Sequence, residues 1–161
     1  MSSRLIILVS GPPAAGKTTL ATAVATTLRL PLICKDDIKE ALVDTLDGPT
    51  DDLVWSRHLG AAAMQVLWRL AERCPAAVLE ANFRPHNPYE HVRLEALRAR
   101  IVELHCTCPR DQLIRRSAAR AQTAHAAHPL TELVAELIAP RRPPTARPAR
   151  CRRHRHRSPL R

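Results

Sequence analysis

The sequence predicts a three-layer α/β/α fold, a parallel sheet of four recognisable strands with helices on both faces. Two observations carry the prediction. Short apolar runs alternate with helical patterns from Arg4 to Pro140, and the runs are mostly continuous, as in strands buried on both faces. At 161 residues the chain is one domain's worth of protein, long enough to bury a sizeable core.

Taken in order, Arg4 opens the run LIILVS, the first strand. Beyond a Gly-rich turn, Leu20, Val24 and Leu28, with Ala21 and Thr27 between, repeat at helical spacing and mark the first helix. PLIC (residues 31–34) is the second strand, and DDIKEALVDTL a helix opened by a capping Asp. A break at GPTDD leads into a long amphipathic helix with Trp55, Leu59, Ala62, Val66 and Leu70 along one face, which Pro75 ends. AAVLEANF is the third strand, RPHNP a loop and YEHVRLEALRA a helix. IVELHC is the fourth strand, followed by the helix RDQLIRRSAARAQ, the loop THAAHP and a last short helix LTELVAELIA.

At Pro140 the texture changes. PRRPPTARPARCRRHRHRSPLR has no apolar period and many prolines, so disorder is expected there. The expected organisation is a domain over residues 1–139, with a lid around 116–130, and an Arg/Pro-rich tail over 140–161. The net charge of +10 belongs to this tail, which holds nine arginines and no carboxylate. Residues 1–139 are close to neutral, which argues against a nucleic-acid-binding body.

The longest apolar run is far short of a membrane span, and no signal-peptide pattern follows Met1. A cytoplasmic location is expected. Five cysteines, an odd number, argue for reduced thiols. Cys106 and Cys108 lack the spacing of a zinc ribbon, and because IVELHC reads as a strand, a buried cysteine is the expectation.

Residues 11–18 match G-x-x-x-x-G-K-[ST] in full: Gly11, Pro12, Pro13, Ala14, Ala15, Gly16, Lys17 and Thr18, with Thr19 next. A strand precedes the match and a helix follows it. Backbone N–H groups of such a loop turn inward at phosphate oxygens, and the helix N-terminus adds its positive dipole. Lys17 would bridge the terminal phosphates of ATP, and the Thr18 hydroxyl would ligate Mg²⁺. The fold is thus that of a P-loop NTPase.

At the end of the second strand, Asp36 and Asp37 are placed to orient an acceptor hydroxyl and take its proton. Helix capping and a dipole interaction are the competing uses, and the residues alone leave the choice of base open. Glu80 ends the third strand beside the loop, where a carboxylate holds a magnesium water or positions the acceptor. Asn82 and Arg84 follow on the acceptor side. Arg116 and Arg120, four apart on one helix face, suit closure over phosphates, whereas Arg115 reads as a solvated residue.

Together these pieces resemble the small P-loop kinases, AAA-family ATP-binding proteins that include zeta toxins, chloramphenicol phosphotransferase and the 5′-kinases of polynucleotides. The resemblance covers roughly residues 4–130 and rests on GPPAAGKTTLA, KDDIKEAL, LEANFRP, LHCTCP and RRSAARA followed by HP. It implies that Asp36 is the general base, that Lys39 contacts the acceptor, and that Arg116 and Arg120 are the lid arginines. Two departures stand out. Related lids often read Arg-His-Pro-Gly-His, where this chain has Ala127-His128-Pro129-Leu130-Thr131. Relatives also continue into a fifth strand ending in Asp-Thr, where this chain has the Arg/Pro tail. The change resembles translation in another reading frame, or a truncated gene.

The leading expectation is an ATP- and Mg²⁺-dependent kinase acting on a hydroxyl of a small molecule. The alternatives are a polynucleotide 5′-kinase, whose nucleic acid would be held through the basic tail, and a truncated remnant that binds nucleotide without catalysis. A switch GTPase is disfavoured, because neither N-K-x-D nor a D-x-x-G after the third strand is present.

Overall fold

The computed structural model describes residues 4–49, 52–84, 87–121 and 125–128. Four strands, β1 (Leu5–Ser10), β2 (Leu32–Cys34), β3 (Ala76–Glu80) and β4 (Arg100–His105), form one sheet in the order β2-β3-β1-β4, with every pairing parallel. Parallel neighbours require crossovers; four of the five helices of the described residues supply them, and the fifth follows β4. These are α1 (Lys17–Leu28), α2 (Lys35–Thr45), α3 (Leu53–Arg73), α4 (Pro88–Ala96) and α5 (Arg110–Ala121). The expected last helix at 130–139 and the tail lie outside the described residues.

The two faces of the sheet are read off β1. Ile7 and Val9 pack with Val78 against Ala21 and Ala25 of α1. Ile6 and Leu8 point the other way, into a larger core of Leu67, Trp68 and Ala71 from α3, with Phe83 and Leu97. The period of two in β1 therefore serves both helical layers, as the continuous apolar run requires.

Four expectations are corrected. The face of α1 that meets the sheet is Ala21 and Ala25, whereas Leu20 and Leu28 are exposed. Small side chains let this helix lie close to the sheet. On α3 the buried stripe is Ser56, Leu59, Ala63, Leu67 and Ala71, with Trp68 beside it. It is displaced by about one position from the expected one, and Ala62, Val66 and Leu70 are exposed. Helix α2 is not opened by a capping Asp. Its cap position is Cys34, with no side-chain cap bond, and Asp36 and Asp37 occupy its first turn. Cys106 and Cys108 are only half-buried, because β4 is paired with β1 alone among the described residues and leaves Glu103 and His105 exposed.

The ends of the helices are fixed locally. Asp52 Oδ1 accepts from the Val54 amide at 2.7 Å at the start of α3, and Asn87 Oδ1 from the Tyr89 amide at 3.1 Å at the start of α4. At the opposite ends, the Arg4 guanidinium donates to the carbonyls of Ala71 (2.7 Å), Cys74 (3.0 Å) and Leu97 (2.8 Å). One side chain thus satisfies the orphan carbonyls of α3 and of the turn after α4, where a cation also meets the negative end of each dipole.

Because these bonds to a charged donor are half-buried, Arg4→Met should lower unfolding stability by about 2 kcal/mol. Denaturant titration checks this. Arg4→Lys should recover only part of the loss, since an ammonium cannot span three carbonyls on two elements.

Candidate active site

Register brings the carboxyl ends of all four strands together. Val9 and Cys34 both lie opposite Glu80, and Ser10 lies opposite His105. The loop from Gly11 to Gly16 leaves β1 at this edge and runs directly into α1. Gly11 has φ +135°, and a Cβ there would stand 2.4 Å from the Cys106 carbonyl oxygen. Both facts demand glycine, so the loop passes close against the end of β4. Gly16 caps α1 with φ +93° and has nothing within 4 Å of a hypothetical Cβ, which leaves open space at the helix N-terminus. Ala14 also takes a positive φ, of +61°. Left-handed residues interleaved with ordinary ones are how a chain aims successive amides at one anion.

Lys17, the first residue of α1, is buried, and its Nζ donates to the Pro12 carbonyl at 3.1 Å, across the loop. Pro12, Pro13, Ala15 and Gly16 are half-buried along the loop, Gly11 and Ala14 are buried, and Thr18 and Thr19 are exposed. The Thr18 hydroxyl donates to Glu80 Oε2 at 3.3 Å. Glu80 is not a solvated strand end: it is 2% exposed, and the same oxygen accepts from the Cys34 thiol at 2.8 Å. Burial, and then the bond to Glu80, push the Cys34 thiol far above its ordinary value, so it remains a neutral donor.

These residues fit a hard cation. A hydroxyl and a buried carboxylate are the oxygen ligands Mg²⁺ accepts. No group of three or more His, Cys, Asp or Glu able to hold a metal occurs among the described residues. A cation here would therefore share its coordination with phosphate oxygens and water, as magnesium–nucleotide sites do.

The first turn of α2 follows directly on the end of β2, at the same edge of the sheet. The Asp36 carboxylate is 44% exposed and pairs with Lys35 Nζ at 3.3 Å. Burial pushes its carboxyl up. The ammonium of Lys35, with the charges of His128 and Lys17, more than offsets this and holds it below its ordinary value. The phosphate-loop lysine and this carboxylate both stand at the carboxyl edge of the sheet. Asp37 is exposed. Lys39 turns the other way, 3% exposed, with its Nζ donating to Ser56 Oγ of α3 at 2.8 Å. Asn82 and Arg84 are exposed at the rim beyond β3, where the Arg84 amide donates to Glu90. Arg116 is exposed on α5, and the side chain of Arg120 lies outside the described residues. Arg115, on the same helix, pairs with Asp111 in solvent.

Three features are not visible in the linear sequence. Asp36, Glu40 and Asp44 step by four along one face of α2. His128 meets Glu40 and His125 meets Asp44, each at 3.0 Å, while Ala127 between them is 2% exposed. Ala126 and Ala127 line a small cleft with Val43, Leu46, Trp55 and Leu59, so this segment straps α2 to α3 beside Asp36. At the end of β4, Ser10 Oγ donates to Glu103 at 2.7 Å and meets His105 Nδ1 at 2.8 Å. The serine proton is committed to Glu103, so the imidazole donates from Nδ1. The third feature is the thiol on Glu80. Cys34 adjoins KDDIKE, but its orientation depends on the register of β2 against β3.

No helix among the described residues is long and apolar enough to cross a membrane. Nothing among the curated proteins matches. Among solved structures, the chain is similar to a candidate kinase from Chloroflexus aurantiacus J-10-fl, with 36% identity and a TM-score of 0.70 over 78% of this chain and 70% of that one. It shares its fold with a chain of the Pnkp1/Rnl/Hen1 RNA repair complex, at 15% identity and a TM-score of 0.57, and spans under half (44%) of that chain. The fold also matches APE1195, at 18% identity and a TM-score of 0.53, over 83% of this chain and 79% of that one. The model of the AAA domain matches residues 6–144, so nearly all the elements described above fall within it. With that match, and with a phosphate loop and parallel sheet of this kind, the chain belongs to the AAA-domain family, within its small P-loop kinase-like group.

Proposed function

We propose that the chain transfers the γ-phosphoryl group of ATP to a hydroxyl group of a small molecule. The observation that carries the proposal is the shared edge of the sheet, where the phosphate loop with its buried Lys17 leaves β1 and the end of β2 delivers a second group, the Asp36 carboxylate. A protein that only binds nucleotide has no need of the second group.

In this reading the loop amides of residues 11–16, with Thr19 behind them, cradle the phosphates, and Lys17 exchanges the Pro12 carbonyl for a phosphate oxygen. Thr18 would hold Mg²⁺ directly and Glu80 through water; the ion would neutralise phosphate charge and align the γ-phosphoryl group. Asp36 orients the acceptor hydroxyl and receives its proton. With its carboxyl held below its ordinary value, chiefly by the Lys35 ammonium, it is a weak base, so the proton moves late, when phosphorus is already bonding to the oxygen. Orientation is then the larger part of its contribution. Arg116 and Arg120 complete the charge balance from α5. Asp37, Asn82 and Arg84 form the exposed rim available to an acceptor, and Lys39 fixes the α2–α3 wall behind it.

Asp36→Asn should lower transfer by about 10²- to 10⁴-fold while ATP affinity stays within about twofold. ADP formation against a panel of nucleosides, sugars and hydroxylated antibiotics, with calorimetry for ATP, separates the two quantities. Equal loss of both would count against Asp36 as the base. Lys17→Ala should abolish the rise in unfolding midpoint that Mg²⁺-ATP gives the parent, a stabilisation of about 2.7 kcal/mol at a hundredfold excess over Kd.

The pH dependence follows from the lowered value at Asp36. The carboxylate form is the active one, so activity falls only as pH drops through that lowered value. The acid limb of the rate profile should therefore lie below the ordinary carboxylate value near pH 3.8. In Lys35→Met it should move upward, because the largest of the opposing charges is gone.

A further inference from the structure

We infer that Cys34 is a positioning residue for the metal–nucleotide site, holding the Glu80 carboxylate in the orientation in which it receives the Thr18 hydroxyl. The inference deepens the reading of Thr18 and Glu80 as the pair that holds Mg²⁺, and it rests on that reading. Three elements meet in one chain of donors. Cys34 Sγ, on the last residue of β2, donates to Glu80 Oε2 at 2.8 Å, and Thr18 Oγ1, in the first turn of α1, donates to the same oxygen at 3.3 Å. Both bonded groups of this thiol–carboxylate pair are buried, at 4% and 2% exposure, so water does not compete for them.

The geometry gives each donor a distinct effect. Thr18 spends its only hydroxyl proton on Glu80, so its lone pairs face away from the carboxylate and toward the loop. That is the orientation a hydroxyl ligand to a cation needs. The bond holds only if Oε2 stays where it is, and the carboxylate's terminal torsion is soft and roughly two-fold. Cys34 removes that freedom. Its position is itself set by the sheet, since Cys34 and Glu80 are partners in the β2–β3 register. Partners that orient a metal ligand typically change metal affinity by about 10- to 100-fold when lost, and Cys34 acts one step further out, through Glu80 on Thr18, so the lower end of that range is expected.

The experiment compares the full-length parent with Cys34→Ala and Cys34→Ser. Calorimetry measures ATP affinity in the presence of Mg²⁺ and in EDTA, and thermal unfolding is followed for each protein. In Cys34→Ala the gain in ATP affinity from Mg²⁺ should shrink about tenfold, while affinity in EDTA stays within about twofold. Cys34→Ser, which keeps a donor at this position, should restore most of the gain. Loss of affinity in both conditions alike, or failure of Cys34→Ser to recover what a folded Cys34→Ala loses, would overturn the inference and leave Cys34 a packing residue. A parent whose ATP affinity is indifferent to Mg²⁺ would instead overturn the assignment of Thr18 and Glu80, and this inference with it. The two failures are therefore distinguishable.

Discussion

A carboxylate with 2% exposure at the end of a central strand is the constraint around which this site is arranged. Burying Glu80 is costly unless it finds donors. Its Oε2 finds two, on the last residue of β2 and in the first turn of α1. Neither donor carries charge. The carboxyl group stands at the sheet edge from which the phosphate loop departs, so an oxygen ligand for a cation and a loop shaped for an anion meet there. That pairing suits a magnesium–nucleotide complex, in which both signs are present.

The fold serves this arrangement through register. Because the sheet is parallel, every strand delivers its carboxyl end to the same edge. β1 delivers Ser10 and the loop, β2 delivers Cys34 and the Asp36 turn, β3 delivers Glu80, and β4 delivers His105 and the Cys106 carbonyl that limits Gly11. A slip of one residue in β3 would carry Glu80 to the opposite face. The apolar runs that make the core and the polar residues that follow them are thus one device: the length of each run fixes where its terminal residue stands.

Much of this was legible in the sequence, and the parts that were not share a cause. Strand–loop–helix order, the phosphate loop and the terminal acids follow from local pattern, since each depends on neighbours within a few residues. The helix faces do not. In α3 two stripes, one through Ala62, Val66 and Leu70 and the other through Ala63, Leu67 and Ala71, are both apolar and one residue apart. Periodicity cannot choose between them. The choice falls to the fit of Trp68 against Phe83, rings 5.6 Å apart that come from distant parts of the chain. Likewise α1 buries its alanines and exposes Leu20 and Leu28, because close approach to the sheet outweighs the larger apolar area of leucine. Cys34 on Glu80, the Ser10–Glu103–His105 cluster and the two histidines on α2 are long-range contacts, for which no spacing rule exists.

Helix α2 is where the two halves of the proposed reaction meet, and its surface is divided accordingly. One face carries Asp36, Glu40 and Asp44. The first pairs with Lys35, and the other two are engaged by His128 and His125. Another face sends Lys39 inward to Ser56. The helix is thereby held from α3 on one side and from residues 125–128 on the other, while Asp37 in its first turn stays exposed. A base whose acidity is raised by its neighbours contributes mainly through where it stands, so rigid support of this turn matters more than its proton affinity. The same support ties the helix that carries Asp36 to residues 125–128, through His128 on Glu40 and His125 on Asp44, so in the proposed reaction a change at either histidine would act on the alignment of the acceptor rather than on phosphate binding.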